Sequence, residues 1–255
     1  MNMVEEALHE LSAARAPDGF LERTLRACGL RDSYAKVATP IGDYFVAWRG
    51  NRVSAVSRAD RGLESFLGWF AEKVDRSLEP AASVPAAIRR ALLATRGQGL
   101  SYDFGQLTEF EQAVLRKTLE IPRGEVRSYG WVAREIGRPG AVRAVGTALR
   151  HNPIPLLIPC HRVVRGDGDL GNYAGGHPEL KKDILTLEGL DLGWLEDLAR
   201  RRKRFLGSRT THVFCQPTCS HARRIAPDNR VEFSAEQEAR AAGYRPCRDC
   251  RPVAA

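Results

Sequence analysis

Residues 152–164 read NPIPLLIPCHRVV, an apolar, proline-punctuated run that ends in Cys160, His161 and Arg162. A cysteine beside a histidine and an arginine, after a run that buries it, has neighbours that favour the nucleophilic thiolate. Adjacent side chains of a regular strand point to opposite faces, so His161 needs a turn or a bridging water to reach the sulfur. By itself the Cys-His pair also fits a simpler interpretation, a buried structural cysteine.

The segment before this run predicts two short helices joined by a tight turn. Helical spacing covers 129–136 and 141–150, and Gly137-Arg138-Pro139-Gly140 separates them, which is the outline of a helix-turn-helix. One face of the second helix is apolar and suits a core: Val142, Val145 and Leu149. Another face is polar and could lie against a phosphate backbone: Arg143, Thr147 and Arg150, with Gly146 between them. A solvated amphipathic helix is the alternative.

The first half of the chain predicts a small α+β scaffold. Predicted strands cover 44–48 and 53–56 around an Arg49-Gly50-Asn51 turn, with a further strand near 102–104. Predicted helices cover 63–74 and 85–95, and residues 3–28 predict two helices interrupted at 16–19. Thr108 and Glu111 have capping-box spacing, which predicts a helix that ends at Ile121-Pro122-Arg123-Gly124.

Together these motifs resemble the O6-alkylguanine-DNA alkyltransferase family across roughly 160 residues. The matching residues are Ser128-Tyr129, Arg143-Ala144-Val145-Gly146, Asn152-Pro153, Pro159-Cys160-His161-Arg162-Val163, Gly171-Asn172-Tyr173 and Gly175-Gly176. A long ordered set of unusual residues is far more specific than a Cys-His pair. The resemblance implies an α+β fold and a single-turnover DNA-repair methyltransferase.

The resemblance also implies a role for each reactive residue. Cys160 takes the alkyl group from guanine O6, and from thymine O4 as a further substrate, and becomes a thioether. His161 acts as its base through a water, and Glu188 orients the histidine. Tyr129 donates to the departing guanine, and Asn152 braces the turn that carries Cys160. Taken alone, each residue also fits a structural role. Glu188 could be a solvated carboxylate at a helix end, Tyr129 a core residue and Asn152 a turn residue.

The family's DNA contacts fall on the predicted helix pair. Arg143 matches the residue that enters the base stack when the damaged nucleotide is flipped out, a step that costs a few kcal/mol. The other implied DNA-binding residues are Ser128, Gly146, Thr147 and Arg150. The implied substrate pocket consists of Pro159, Tyr173, Ala174 and Gly175. Relatives often carry a serine at the position of Ala174, so one hydrogen bond to the base is missing here.

Four cysteines near the end of the chain have the spacing of a zinc site. Cys215 and Cys219 are followed, after 27 intervening residues, by Cys247 and Cys250. Large apolar residues are few over 207–252, so Zn²⁺ is expected to supply much of the folding energy. Two disulfides are the alternative, which a reducing compartment disfavours. No organic cofactor is expected.

The same stretch resembles the Ada-type metal-binding domain. The matching residues are Phe214-Cys215-x-Pro217-x-Cys219 and Ala242-Gly243-Tyr244-Arg245-Pro246-Cys247-x-x-Cys250-Arg251-Pro252. The resemblance implies that Cys215 accepts a methyl group from a methylphosphotriester in DNA. A structural zinc module with inert cysteines remains the alternative. In the Ada regulator the module precedes a transcription unit, whereas here it follows the alkyltransferase motifs, so a transcriptional role is not expected.

The positive charge is concentrated at the end of the chain. The formal net charge is +8, and residues 200–255 contain 13 Lys and Arg against 5 Asp and Glu, a surplus as large as the whole net charge. Residues 123–165 hold 8 Arg against Glu125 and Glu135. With four thiolates and one Zn²⁺, the surplus of the tail falls to about +6. Duplex DNA is the expected partner. Phosphate contacts are expected from the basic run Arg200-Arg201-Arg202-Lys203-Arg204, and a solvated linker is the alternative.

The N-terminus has acids where a signal peptide needs positive charge, and no segment has the roughly 18 consecutive apolar residues of a membrane helix. A cytoplasmic monomer without membrane contact is therefore expected. Cys28, at the end of a short helical stretch, is expected to be a core residue.

The expected domains are a helical extension (1–28), an α+β scaffold (29–104), an alkyltransferase domain (105–192), a basic linker (193–206) and a zinc domain (207–255). The expected function is removal of alkyl groups from O6-alkylguanine in double-stranded DNA. The alternative is a zinc-dependent DNA-binding regulator or alkylation sensor whose C-terminal domain is only structural. A Cys-His hydrolase, which would turn over repeatedly, and a non-reactive lesion-binding protein, which would lack the acceptor cysteine, are further alternatives.

Overall fold

The computed structural model of the chain describes residues 17–166, 170 and 178–252. Its first helix, α1 (Phe20–Ala27), confirms the second of the two helices predicted within 3–28, and the first lies outside the described residues. The expectation for Cys28 is wrong, because this residue is exposed. The helix before it also leaves Phe20 and Leu21 half or more exposed, so α1 adds little to a core.

A five-stranded sheet forms the first half of the chain. β1 (Arg31–Thr39), β2 (Gly42–Arg49) and β3 (Arg52–Arg58) are antiparallel neighbours, which confirms the predicted hairpin. β4 (Ser77–Pro80) pairs with β1 and β5 (Ser101–Tyr102) pairs with β3, both in parallel, so the order is β4-β1-β2-β3-β5.

The two faces of this sheet enter different cores because side chains alternate along a strand. Phe45 and Ala47 pack against α2 (Leu63–Val74), whose Phe66, Phe70 and Val74 recur at helical spacing. Tyr44, Val46 and Trp48 face the larger core, which includes α3 (Ala86–Leu93) and the helices of the second half. The sheet thereby supports the segment that carries Cys160.

The sequence analysis missed β1 and β4. β1 is rich in polar residues, and its fully buried Asp32 is held by Arg76 at 2.9 Å and by Ser54. The partners of this buried charge lie 22 and 44 residues away in sequence. Because a charged residue is buried in β1, the strand lacks the apolar alternation by which it could be predicted.

Three helices build the predicted helix-turn-helix and its support. α4 (Glu109–Leu119) begins with the predicted capping box, in which Thr108 and Glu111 satisfy each other's backbone N–H groups at 3.0 and 3.3 Å. α5 (Tyr129–Glu135) and α6 (Val142–Arg150) follow and pack on α4. Val145 and Leu149 are buried as expected, but Val142 is 40% exposed, so its assignment to the core face is wrong. It is the first residue of α6, directly after the turn.

The reactive run folds as a loop that ends in a short 3₁₀ turn, Cys160–Arg162. The turn continues into β7 (Val163–Val164), which pairs in parallel with β6 (Arg127–Ser128) just before α5. The matching residues before α5 and those after Cys160 are distant in sequence, but they lie on paired strands.

The last third of the chain begins with α7 (Pro178–Leu187) and α8 (Leu192–Arg200). A four-stranded sheet follows, with β8 (Phe205–Ser208), β9 (Val213–Cys215), β10 (Arg230–Phe233) and β11 (Arg245–Pro246) in the order β10-β8-β9-β11. Two short helices complete it, α9 (Ser220–Arg223) and α10 (Glu236–Ala241). We call residues 205–252 the cysteine module.

The cysteine module is docked on the helix-turn-helix. The indole N–H of Trp131 in α5, a residue 3% exposed, donates to the carbonyl oxygen of Cys250 at 2.8 Å. Arg251 forms an ion pair with Glu135 at 2.8 Å and lies over the Trp131 ring.

The segment before α5 makes the second set of contacts with the module. The Thr218 hydroxyl, in the loop between the first two cysteines, accepts from the Val126 N–H at 2.9 Å and donates to the Val126 carbonyl at 3.2 Å. The Ser220 N–H donates to the Glu125 carboxylate at 3.0 Å, and the same carboxylate pairs with Arg127. Because these groups are buried or half-buried, the module is part of the packed structure rather than a loosely tethered tail.

Across the described ranges, no helix combines the length and apolar character that crossing a bilayer requires.

We expect Thr218→Val to lower the free energy of unfolding by about 1–3 kcal/mol, because an isosteric apolar side chain leaves a buried N–H and a buried carbonyl without partners. Urea unfolding of the full chain measures the change. Thr211→Val is the matched control, since Thr211 is exposed and makes no such pair. Equal losses in the two variants would contradict the prediction.

Candidate active site and metal centre

Cys160 is the first residue of the 3₁₀ turn and is 9% exposed. The residues before it, Ile154 and 156–158, are 0–1% exposed and anchor the loop in the main core. The turn closes through the Arg162 N–H, which donates to the Pro159 carbonyl at 2.9 Å. Because residues 160–162 form a turn and not a strand, the side chains of Cys160 and His161 do not point to opposite faces. Pro159, a predicted pocket residue, is buried directly before the turn.

Asn152 contacts the Cys160 sulfur and the loop that precedes it. Its side-chain amide donates to the Ile158 carbonyl at 3.0 Å and lies 3.3 Å from the Cys160 sulfur, and its side-chain oxygen accepts from the Ile154 N–H at 3.0 Å. An N–H aimed at sulfur favours the thiolate, because it is a hydrogen bond to the charged form. Asn152 thus lies where the predicted bracing role requires it.

His161 and Glu188 form a fully buried pair. His161 Nε2 lies 3.0 Å from a Glu188 carboxylate oxygen, and both side chains are 0% exposed. Burial lowers the pKa of His161, and the hydrogen bond to Glu188 offsets this only in part, so the imidazole is neutral near pH 7. The alternative of a solvated carboxylate at a helix end is wrong for Glu188.

Arg162 and Thr95 complete this network. Arg162 was predicted only as a cation that favours the Cys160 thiolate, and Thr95 was not predicted. Arg162, 1% exposed, donates to both carboxylate oxygens of Glu188 at 2.9 and 2.7 Å and to the carbonyls of Ile121 and Thr95. The Thr95 hydroxyl donates to Glu188 at 2.9 Å. Arg162 lies within a largely apolar stretch of sequence, which is a signal of a buried ion pair, whereas Thr95 carries no such signal.

These contacts set the ionisation of Glu188. Burial by itself would raise its pKa, but the hydrogen bonds and charges of His161 and Arg162 outweigh burial and lower that pKa to about 2. Glu188 is therefore a carboxylate at neutral pH and can balance a positive charge on His161.

Two tyrosines lie within electrostatic range of Cys160. Burial raises the pKa of Tyr129, and the charge of Cys160 raises it further while Arg165 lowers it. Burial also raises the pKa of Tyr44, to about 12, with a contribution from Cys160. Both hydroxyls therefore keep their protons at neutral pH. Tyr129 was predicted at this site, whereas Tyr44, on β2, was not.

The remaining predicted residues lie on or beside the helix pair. Arg143, Thr147 and Arg150 are exposed along α6, and the Ser128 hydroxyl caps α5 by accepting from the Trp131 N–H at 3.1 Å. A Cβ on Gly146 would lie 3.8 Å from the Tyr129 ring, so this part of α6 packs against the active site. Three predicted pocket residues lie outside the described residues: Tyr173, Ala174 and Gly175.

The four predicted metal ligands converge. The sulfur atoms of Cys215, Cys219, Cys247 and Cys250 lie within 4.8 Å of one another, and all four residues are buried free thiols. Zn–S bonds of about 2.3 Å in a tetrahedron place sulfurs about 3.8 Å apart, so this donor set fits Zn²⁺. The Gln216 N–H donates to the Cys250 sulfur at 3.4 Å, which supports a thiolate there.

A solvent-open cleft lies between the helical half and the cysteine module. Its polar lining consists of Ser128, Arg165, Lys203, Arg204, Gln216 and Thr218, and the described lining includes no acidic residue. Apolar side chains of α8, β6 and β7 form its floor.

The basic run at 200–204 is divided by the fold. Arg200 and Arg201 pair with Asp197 at 2.6 and 2.8 Å, and Arg201 also pairs with Glu232. Lys203 and Arg204 line the cleft, and among the described residues no carboxylate pairs with either of them. The run is therefore neither a uniform linker nor a uniform contact surface.

Family models match both the helical half and the cysteine module. Residues 109–190 match the family model described as 6-O-methylguanine DNA methyltransferase, DNA binding domain, and residues 196–253 match the one described as metal binding domain of Ada. Over 126 residues, the chain is 41% identical to the methylated-DNA–protein-cysteine methyltransferase of Mycolicibacterium paratuberculosis, covering 45% of this chain and 76% of that protein. The protein of the same name from Mycobacterium leprae is 37% identical over 59% of this chain and 87% of its own length. The match to the rat protein of that name spans 43% of its length.

Two solved structures are similar to the described fold. Mycobacterium tuberculosis O6-methylguanine methyltransferase has a TM-score of 0.50 and 35% identity, over 62% of this chain and 92% of that chain. Mycobacterium tuberculosis OGT in complex with DNA has a TM-score of 0.50 and 32% identity, over 65% of this chain and 99% of that chain.

We expect Glu188→Gln to lower the free energy of unfolding at pH 7 by about 3–5 kcal/mol, because it leaves the buried Arg162 charge without its partner. The pKa of Glu188 is depressed from 4.5 to about 2 in the folded protein. Its stabilisation is therefore present above pH 4.5 and is lost as the pH falls towards 2, by up to about 3 kcal/mol. The difference in free energy of unfolding between the wild type and the variant, measured by urea unfolding, should therefore decrease as the pH falls from 4.5 towards 2. Glu64→Gln, at an exposed site, is the control; a gap that stayed constant with pH would refute the assignment.

Proposed function

Because the chain belongs to the methylated-DNA–protein-cysteine methyltransferase family, we propose that it removes alkyl groups from O6-alkylguanine in double-stranded DNA, and from O4-alkylthymine, by transfer to Cys160. The observation that carries this proposal is the placement of Cys160 on a fixed turn, with the Asn152 amide 3.3 Å from its sulfur and the His161–Glu188 pair buried beside it. A structural cysteine needs no such arrangement.

The transfer is a single displacement. The Cys160 sulfur attacks the alkyl carbon, the S–C bond forms, and the bond between that carbon and guanine O6 breaks. The electron pair goes to the guanine, and the Tyr129 hydroxyl stabilises the leaving base by donating a hydrogen bond or proton. The thioether does not hydrolyse, so each protein molecule acts once.

His161 and Glu188 prepare the sulfur. The neutral imidazole takes the proton of Cys160 through a water, and the carboxylate of Glu188 stabilises the resulting imidazolium. Arg162 and Thr95 are positioning residues for Glu188, because they contact the carboxylate and not the sulfur.

The exposed face of α6 supports a DNA-binding role. Arg143 fills the stack when the damaged base is flipped out, at a cost of a few kcal/mol. Ser128, Thr147 and Arg150 contact phosphates, and Gly146 lets α6 lie close to Tyr129. Pro159, with Tyr173, Ala174 and Gly175, forms the pocket that receives the base.

The protein acts in this proposal as a cytoplasmic monomer. A reducing compartment supports both the free thiol of Cys160 and the four thiolates of the cysteine module. The proposed domains are the extension (1–28), the scaffold (29–104), the alkyltransferase domain (105–192) and the zinc domain (207–255). The predicted linker (193–206) is not an extended connection, because it contains most of α8 and the first residues of β8.

We expect one methyl group per protein molecule, on Cys160, after incubation with an oligonucleotide duplex that contains O6-methylguanine. Peptide mass spectrometry locates the methyl group, and loss of the lesion is followed in the same sample. Cys160→Ala should abolish both, whereas Cys28→Ala, at the exposed cysteine, should change neither. Repair by Cys160→Ala, or more than one lesion removed per molecule, would disprove the mechanism and point instead to a hydrolase.

A second activity is favoured at Cys215. Its sulfur belongs to the convergent cysteine cluster, and its neighbour Gln216 lines the cleft between the modules. Zn²⁺ bound by four thiolates leaves a net charge of −2, which keeps a sulfur nucleophilic at neutral pH. Cys215 would attack the methyl carbon of a methylphosphotriester, forming an S–C bond and releasing a phosphodiester anion. Loss of one negative charge on the cluster would then strengthen contact with DNA.

A duplex with a single methylphosphotriester tests this second activity. We expect a methyl group on Cys215 in the zinc-loaded chain, and none on Cys219, Cys247 or Cys250. Cys160→Ala serves as the matched control, because it should retain this methyl transfer. An unmethylated Cys215 despite bound zinc would make the module structural, as in the alternative of a DNA-binding regulator or sensor. That alternative also requires sequence preference, which binding to random and selected duplexes measures.

A further inference from the structure

We propose that the cleft between the helical half and the cysteine module binds a backbone phosphate of the same duplex whose damaged base enters the Cys160 pocket. This inference rests on the proposed function of Cys160. It adds a binding site built jointly by the two modules, so that one DNA molecule contacts both.

The charge of the cleft selects an anion. Arg165, Lys203 and Arg204 line it, the described lining includes no carboxylate, and Ser128 and Gln216 add a hydroxyl and an amide. Lys203 donates to the neutral Ser234 hydroxyl at 3.4 Å, and no carboxylate of the described residues pairs with it. Lys and Arg side chains are the usual partners of a phosphate oxygen.

The fold itself distinguishes these two cations from their neighbours. Arg200 and Arg201, in the same basic run, are paired with Asp197 and Glu232. Only the second half of the run is turned into the cleft, where Arg202 has a left-handed φ of 57° that redirects the chain after α8. A general attraction for DNA would not require this division.

The position of the cleft connects the two reactive cysteines. Arg165 directly follows β7, and β7 directly follows the turn that begins with Cys160. On the other side, Gln216 follows Cys215. Ser128, at the mouth, caps the first helix of the helix-turn-helix. In this proposal, a duplex that lies on the helix pair and presents a base to Cys160 also contacts the cleft.

The cleft is also held in one shape before DNA arrives. The Trp131–Cys250 and Thr218–Val126 hydrogen bonds join the modules on either side of it. Binding energy is then not spent on fixing the modules relative to each other. The ligand chemistry is a phosphate group, and its source could be DNA or free inorganic phosphate. We commit to DNA, because the mouth lies beside the helix-turn-helix and opens to solvent.

The test compares two double variants that remove the same charge from one basic run. Lys203→Gln with Arg204→Gln alters the cleft, and Arg200→Gln with Arg201→Gln is the matched control. Binding of full-length, zinc-loaded protein to an undamaged duplex is measured by fluorescence anisotropy over a range of salt concentrations. The cleft variant should lower the slope of log K against log salt by about one, because one phosphate contact is lost. The control should leave the slope nearly unchanged. Zinc content and thermal midpoint verify that both variants fold.

Two further measurements test the single-duplex claim and the ligand source. With an O6-methylguanine duplex, the cleft variant should raise the protein concentration that gives the half-maximal rate of methyl transfer, by about tenfold or more, and keep the maximal rate. Inorganic phosphate at constant ionic strength should not compete with DNA.

The outcomes separate this inference from the proposed function. Equal slopes in the two double variants or an unchanged half-maximal concentration would overturn the cleft assignment while methyl transfer to Cys160 persisted. Competition by inorganic phosphate would overturn only the choice of DNA as the specific source of the phosphate. Absence of methyl on Cys160 in the wild type would instead refute the proposed function, and the slopes on undamaged DNA would still be measured.

Discussion

The Arg162 guanidinium and the Glu188 carboxylate are buried together, with two hydrogen bonds of 2.9 and 2.7 Å between them. Two desolvated charges are costly unless each is satisfied, so this pair tolerates few alternative arrangements. The carbonyls of Thr95 and Ile121 accept hydrogen bonds from Arg162, and the His161 ring contacts Glu188. The same contacts that satisfy the charges therefore fix the turn that presents Cys160.

The chain around Glu125–Arg127 extends this constraint to the cysteine module. At one end, the Gly124 N–H lies 3.4 Å from Glu188. At the other, Arg127 pairs with Val163 in the β6–β7 ladder, directly after the reactive turn. Between them, Val126 is bonded on its N–H and carbonyl to Thr218, which lies in the loop between two cysteines of the zinc cluster. One short segment thus contacts both reactive centres, so folding of the zinc cluster supports the active site.

Local chemistry explains which predictions held. The hairpin, α2, the capping box and the helix-turn-helix depend on turns, caps and apolar spacing within a few residues, and the structure has them at the predicted places. The convergence of four cysteines followed from ligand spacing. β1 was missed because its buried Asp32 is satisfied by distant partners. Val142 was misplaced because helical periodicity says which residues share a face but not where the neighbouring element ends.

The sequence by itself determined the reactive groups: Cys160 with His161, the polar face of α6 and the four cysteines, since each is specified by residue type and short spacing. Only the tertiary structure decided that Thr95 belongs to the site and that Arg162 is bound to Glu188. It also divided the basic run into a paired half and a half that lines the cleft. The physical reason is that burial and ion pairing depend on residues brought together from distant parts of the chain, and no local pattern records which partners will meet.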